Sequence, residues 1–201
     1  EECENWNLLT WLCSGNWQSY SWKDNFFLVY LKFFTSPKYT KHKLQMKILL
    51  IDPPMQSIML ARADWYPMSL SYLAGSAIAE GQDVLIYNGE HDKDLDYVNL
   101  TTYSNNYHLY PEALNNADHY AWKKYKKVLT QYKPDIIGIT AFSVKFPSAL
   151  RIAAISKDYN PSVPVIMGGQ HTTIMTDQVL NDRNIDFAVR GEGEQTFIEF
   201  I

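Results

Sequence analysis

The fold class this sequence predicts is α/β: a doubly wound parallel five-stranded sheet, flavodoxin-like (Rossmann-like), in the order 2-1-3-4-5. Three observations carry that reading. Short apolar runs recur over 47–52, 83–87, 136–140, 163–167 and 186–189, as strands covered on both faces require. Helix-like segments with apolar residues three and four apart lie between most of them, the alternation of a βαβ chain. The run over 163–167 ends in Gly168-Gly169 and then polar residues, a turn where missing Cβ atoms permit positive φ and let a ligand approach the backbone.

Residues 1–45 stand apart from this pattern. They hold Trp6, Trp11, Trp17 and Trp22, then an aromatic run over 26–34 that is too short to span a bilayer, which takes ~20 residues. The start Glu1-Glu2-Cys3-Glu4 lacks the basic opening of a secretory signal, and no small-residue cleavage site follows. Two readings stand evenly: the segment packs on the domain or on a partner, or it lies outside a native domain that begins at Met46. A strand over 47–52 opens the regular part and stops at Pro53-Pro54, because proline donates no backbone hydrogen bond and keeps its predecessor out of the helical region. A helix over 69–80 follows, with Leu70, Leu73, Ala74, Ala77 and Ile78 at helical spacing and Gly81 as its stop. After the strand over 83–87, the polar stretch 88–110 shows no period and reads as a long loop.

Residues 111–132 read as one helix, whose lysines Lys123, Lys124, Lys126 and Lys127 suit its carboxyl half as a solvated face. The strand over 136–140, a helix over 147–158 and the strand before the double glycine come next. A short helix near 176–181 and a strand over 186–189 follow, and Gly191-Glu192-Gly193-Glu194 opens a last helix.

The formal net charge of -4 gives no electrostatic reason to expect nucleic acid or an anionic membrane as partner. Cys3 and Cys13, the only cysteines, form no legible disulfide framework or zinc site, so a reduced, cytoplasmic setting is expected and no metal ligand is assigned. Parallel strands bring the loops at their carboxyl ends together, and such an edge is where open α/β sheets bind ligands. Several uses of that edge are excluded. No Gly-x-Gly-x-x-Gly follows the first strand and no Gly-x-x-x-x-Gly-Lys occurs. Thr140 stands where a receiver domain needs a phosphorylatable aspartate, and the first loop lacks the glycines and hydroxyls of a flavodoxin phosphate loop.

Five segments, weak singly, are specific in their order. They are 46–54, Tyr66-Pro-Met-Ser-Leu-Ser-Tyr-Leu-Ala74, Lys133-Pro-Asp-Ile-Ile-Gly-Ile-Thr140, Gly168-Gly-Gln-His-Thr172 and Ile185-Asp-Phe-Ala-Val-Arg-Gly-Glu-Gly-Glu194. On these, residues 46–201 resemble the cobalamin-binding domain at the amino end of cobalamin-dependent radical S-adenosylmethionine enzymes. The resemblance implies a cobalamin whose dimethylbenzimidazole tail is withdrawn from cobalt and threaded into the sheet edge. It implies cofactor-binding roles for Thr140, Phe142 and Ser143, for Gly168, Gly169, Gln170, His171 and Thr172, and for Gly191, Glu192 and Gly193.

Chemistry alone leaves several of these open. Glycines leading into a helix amino end offer amide donors to a phosphate. Ser143 serves equally as a hydroxyl donor to the tail or as a local turn bond. His171 either contacts the ligand or caps the next turn. Glu192 and Glu194 gain ~0.3–1 kcal/mol at a helix start without any ligand. Alanine at Gly169 is expected to harm binding more than folding.

The departures are informative. Asp52 is followed by Pro53-Pro-Met-Gln-Ser57, without the cobalt-coordinating histidine of mutase-type domains, so cobalt without a histidine ligand is expected. Asn88 replaces an aspartate common in the family. No Cys-x-x-x-Cys-x-x-Cys occurs, so the iron–sulfur cluster, the S-adenosylmethionine site and the catalytic barrel are expected beyond Ile201. The chain would then bind cofactor for a parent enzyme of methyl transfer or other radical chemistry without turning over substrate itself. The competing classes are a flavodoxin-like domain holding another nucleotide cofactor such as flavin, and a cofactor-free interaction domain that docks a partner through its tryptophan-rich segment.

Overall fold

The computed structural model describes residues 29–31, 45–61, 66–92, 94, 95, 97 and 99–201. Trp6, Trp11, Trp17 and Trp22 lie outside the described residues, as does most of the aromatic run after them. The strands are β1 (Val29–Leu31), β2 (Lys47–Asp52), β3 (Asp83–Asn88), β4 (Ile136–Thr140), β5 (Val165–Gly168) and β6 (Phe187–Val189). They form one sheet in the order β1-β6-β5-β4-β2-β3. β2 to β6 are parallel neighbours, which is the predicted five-strand order, and β1 adds an antiparallel edge beside β6, with Val29 opposite Val189.

Side chains on a strand alternate between faces, and the core divides accordingly. Leu49, Ile51, Ile137, Ile139, Val165 and Met167 point to one face, under α3 (Leu109–Asn115), α4 (Tyr120–Tyr132) and α5 (Phe146–Tyr159). Ile48, Leu50, Ile136, Ile166 and Val189 point to the other, under α1 (Met68–Ala79) and α8 (Glu194–Phe200). The first face is anchored by Trp122, 0% exposed, whose indole N–H donates to the Ala113 carbonyl at 2.8 Å. Truncating a fully buried tryptophan to alanine typically costs ~3–5 kcal/mol.

Three sequence expectations need correction. The single helix expected over 111–132 is two, α3 and α4, broken where Asn116 Oδ1 accepts the Asp118 N–H at 3.0 Å and redirects the backbone. The stretch 88–110 is not all loop. It contains α2 (Leu100–Asn106), capped by Asn99, whose Oδ1 accepts the Thr102 N–H at 2.8 Å. A further short helix, α6 (Gln170–Ile174), follows the double glycine directly and precedes α7 (Thr176–Leu180). Among the described residues no helix is long and apolar enough to cross a membrane.

Candidate functional site

The carboxyl ends of β4, β5 and β6 open into a cleft of about 130 Å³ between the sheet and the pair α1 and α8. Its floor is made by strand positions on the α1/α8 face. Leu50 pairs with Gly138, Gly138 with Ile166, and Thr140 with Gly168. Its walls are Leu70 and Leu73 from α1, Val189 from the end of β6 and Phe197 from α8, with Gly191, Glu192, Gly193 and Glu194 along its rim. This is a largely apolar cleft with Thr140, only 7% exposed, as a buried hydroxyl on its floor.

The two glycines of the turn have different jobs. At Gly168, a Cβ would meet nothing closer than Val189 at 3.9 Å, so the missing side chain leaves open space in the cleft. At Gly169, φ is +97°, and a Cβ would lie 2.9 Å from the Ala141 backbone N and O and from Thr140 Oγ1. Gly169 is therefore required by the fold itself, because β5 must pass tightly against the exit of β4. Its backbone sits in a region essentially reserved for glycine. The expectation that alanine at Gly169 harms binding more than folding is overturned by this contact.

Six of the sequence-predicted residues, Thr140, Gly168, Gly169, Gly191, Glu192 and Gly193, line the cleft together. The other five do not. Phe142 is 41% exposed, and Ser143 and Gln170 are also exposed. Thr172 is fully buried and spends its hydroxyl on the Gly168 carbonyl at 3.1 Å. His171 is 6% exposed, stacks on Phe146 with ring centroids 4.0 Å apart, and shares a 3.0 Å hydrogen bond between its Nδ1 and Ser143 Oγ. Burial lowers its pKa, with Gln178 opposing, which favours a neutral ring fixed between two loops. The Gly191 N–H donates to Thr173 Oγ1 at 3.0 Å, so that amide is already used within the protein.

A second constellation at the same edge went unread in the sequence. Asp52 closes β2, Glu90 follows β3 and Lys145 lies in the 3-10 turn after β4 (Ser143–Lys145). The Lys145 ammonium lies 2.8 Å from Asp52 Oδ1 and 2.9 Å from Glu90 Oε1. Glu90 is 1% exposed, and its other oxygen accepts the N–H groups of Met55 and Ser57, both at 3.1 Å. The cluster thus fixes the loop after β2 against the loops after β3 and β4. Gly89 permits that approach, since a Cβ there would come within 2.8 Å of the Asp52 carbonyl oxygen and of Pro54. Burial raises the Asp52 pKa above its ordinary value; Lys145 opposes that shift and Glu90 adds to it. A larger hollow, about 300 Å³, lies beside α3 among Ile58, Leu60, Leu109 and Tyr120, and includes none of the sequence-predicted site residues.

Comparison with known proteins places this architecture. Residues 112–201 match the family model described as the B12 binding domain. That stretch belongs to the B12-binding family.

Curated relatives extend the likeness upstream of the family match. An uncharacterized methyltransferase of Pyrococcus horikoshii is 33% identical over 159 residues, 78% of this chain and 29% of the relative. An anaerobic magnesium-protoporphyrin IX monomethyl ester cyclase of Rubrivivax gelatinosus is 30% identical over 158 residues, 78% of this chain and 24% of the relative. A cytidylyl-2-hydroxyethylphosphonate methyltransferase of Streptomyces wedmorensis is 27% identical over 157 residues, 76% of this chain and 27% of the relative. The chain thus spans less than a third of the length of these relatives. Among solved structures, a cobalamin-binding protein from Desulfitobacterium hafniense DCB-2 superposes with a TM-score of 0.43 at 12% identity, covering 78% of this chain and 59% of that one.

The cleft between α1 and α8 has room for a heteroaromatic group by its own geometry. Apolar side chains line it, a buried hydroxyl is available for a ring nitrogen, and Gly168 withholds a Cβ that would stand free inside it.

Proposed function

We propose that residues 46–201 are the cobalamin-binding module of a larger cobalamin-dependent radical S-adenosylmethionine enzyme. In this reading the module holds the cofactor base-off, with the dimethylbenzimidazole tail in the cleft between α1 and α8. The observation that carries it is the glycine-floored cleft, within a domain of the B12-binding family. When bound, the cobalamin supplies a cobalt centre for methyl transfer or radical chemistry. This chain's residues would bind and orient it: Leu70, Leu73, Ile166, Val189 and Phe197 contact the faces of the tail, and the Thr140 hydroxyl meets a ring nitrogen. The described loop after β2, residues 53–61, has no histidine to reach cobalt, and Met55, Ser57, Ile58 and Met59 are turned into the protein. The iron–sulfur cluster, S-adenosylmethionine and the catalytic barrel belong, in this reading, to sequence beyond Ile201, consistent with the greater length of the relatives.

Hydroxocobalamin added to the purified protein is expected to bind one per chain with a base-off absorption spectrum, while flavin mononucleotide is not retained. A base-on spectrum, or no retention at micromolar concentration, refutes the reading.

The domain boundary at Met46 makes a separate prediction. A chain beginning there keeps β2 to β6 and every described loop of the edge, and of the described elements it loses the three-residue β1 ladder. It is expected to unfold cooperatively in urea and to bind cobalamin as the full chain does. A broad, non-cooperative transition would show that the amino segment is part of the core.

A further inference from the structure

We propose that the buried Asp52–Lys145–Glu90 cluster is an electrostatic tuning site. Its uncompensated negative charge, set beneath the carboxyl edge, favours the more positively charged oxidation states of a bound corrinoid and lowers the one-electron reduction potential of its cobalt. The inference rests on the cobalamin reading above and adds to it a role for residues that reading does not use.

Two carboxylates face one ammonium, so the cluster carries one negative charge more than it balances. Glu90 is 1% exposed and Asp52 6%, and water therefore screens that charge poorly. The Met55 and Ser57 amides donate to the second oxygen of Glu90, which fixes the carboxylate in place beside Lys145. The further ion pair on that side, Lys124 with Asp92 at 3.7 Å, is neutral as a pair and more exposed. The three members sit at the carboxyl ends of three adjacent strands, β4, β2 and β3, on the edge that an open parallel sheet offers to ligands.

Each one-electron reduction of cobalt removes one positive charge from the corrinoid. A fixed negative charge nearby therefore binds the oxidised form more tightly than the reduced one. Linkage converts that difference in affinity into a lower potential. A purely structural clip would hold the loops equally well with either balance of charge, so the potential is the readout that separates the two roles.

The test is spectroelectrochemical titration of the cobalamin-loaded protein at a pH above the carboxylate range, comparing the parent with Asp52→Asn and Glu90→Gln. Each variant removes one negative charge and keeps an acceptor in place. At the applied potential where the parent is half reduced, both variants are expected to show at least a tenfold higher ratio of reduced to oxidised cobalt, ~59 mV for a one-electron couple.

Asp186→Asn makes the same change of net charge at the amino end of β6, where Asp186 pairs with Lys157 at 2.6 Å, and is expected to leave the ratio unchanged. Should one cluster variant fail to fold, the other carries the test. Ratios within twofold of the parent in variants that retain cobalamin overturn the tuning role and leave the cobalamin reading standing. An equal shift in Asp186→Asn also overturns it, by showing an effect of net charge alone. A parent that retains no cobalamin overturns both.

Discussion

Lys145→Met is expected to lose a large fraction of its stability at neutral pH and to regain part of it on mild acidification. Methionine nearly matches the lysine stem in length, so the substitution removes the ammonium with little loss of packing. It leaves Asp52 and Glu90 facing each other in a site where their carboxylates are 8% and 1% exposed. Breaking a buried ion pair from one side typically costs ~3–5 kcal/mol, because the partner charge stays behind without compensation. A domain of this size has ~5–15 kcal/mol in total, so the loss is a large fraction of it.

The pH dependence follows from the direction of the Asp52 shift. Burial already places its folded pKa above the unfolded value of 3.8, against the opposing influence of Lys145, and losing that influence raises it further. In the window between the two values the folded state binds more protons than the unfolded state, so stability rises as pH falls through the folded pKa. Urea unfolding of the parent and the variant at neutral and mildly acidic pH measures this. The gap between them should narrow on acidification, and adding Asp52→Asn to Lys145→Met should recover stability at neutral pH. An equal deficit at both pH values, with no recovery in the double variant, would show that the lysine contributes packing alone.

How far the sequence could be read depended on whether a feature was local. The parallel strands were legible because each is a continuous apolar run, and the turn at Gly168-Gly169 because glycine there has a backbone reason. α2 was missed because Thr101, Thr102, Ser104, Asn105 and Asn106 carry no apolar stripe, and its start depends on the Asn99 cap. The break between α3 and α4 was missed because tyrosines and alanines continue the helical spacing across an Asn-Asn-Ala-Asp turn.

The candidate site divides in the same way. Gly168, Gly169, Gly191 and Gly193 were visible, while Gly138 was read only as part of a strand, Leu70 and Leu73 only as one helix face, and Phe197 not at all. The charged cluster was invisible because Lys145 and Asp52 are 93 residues apart, and Glu90 sits in a polar stretch where one more carboxylate draws no notice. An ionisable residue ending the buried apolar run 48–51, as Asp52 does, was the one signal that pointed to it.

Gly168→Ala and Gly169→Ala are expected to fail in opposite ways. At Gly168 the new methyl group meets only Val189, at 3.9 Å, and φ lies outside the left-handed region. Replacing glycine by alanine inside a strand then stabilises by roughly 0.5–1 kcal/mol. The same methyl group stands in the cleft, where a cofactor tail would need its volume and no rotation can withdraw it. Cobalamin affinity should fall more than tenfold, over ~1.4 kcal/mol, in a protein at least as stable as the parent.

At Gly169 the balance reverses. The backbone conformation alone costs an L-residue ~1–3 kcal/mol. The Cβ also presses at 2.9 Å on the Ala141 N and O, atoms that bond the Gly168 carbonyl and the His171 N–H at 2.8 and 2.9 Å. Relief requires β4 and β5 to separate where the edge is built, so Gly169→Ala should unfold at much lower urea concentration before any question of binding arises. Equilibrium unfolding together with cobalamin titration on both variants checks the pair. If Gly168→Ala binds cobalamin as tightly as the parent, the cleft does not hold the tail.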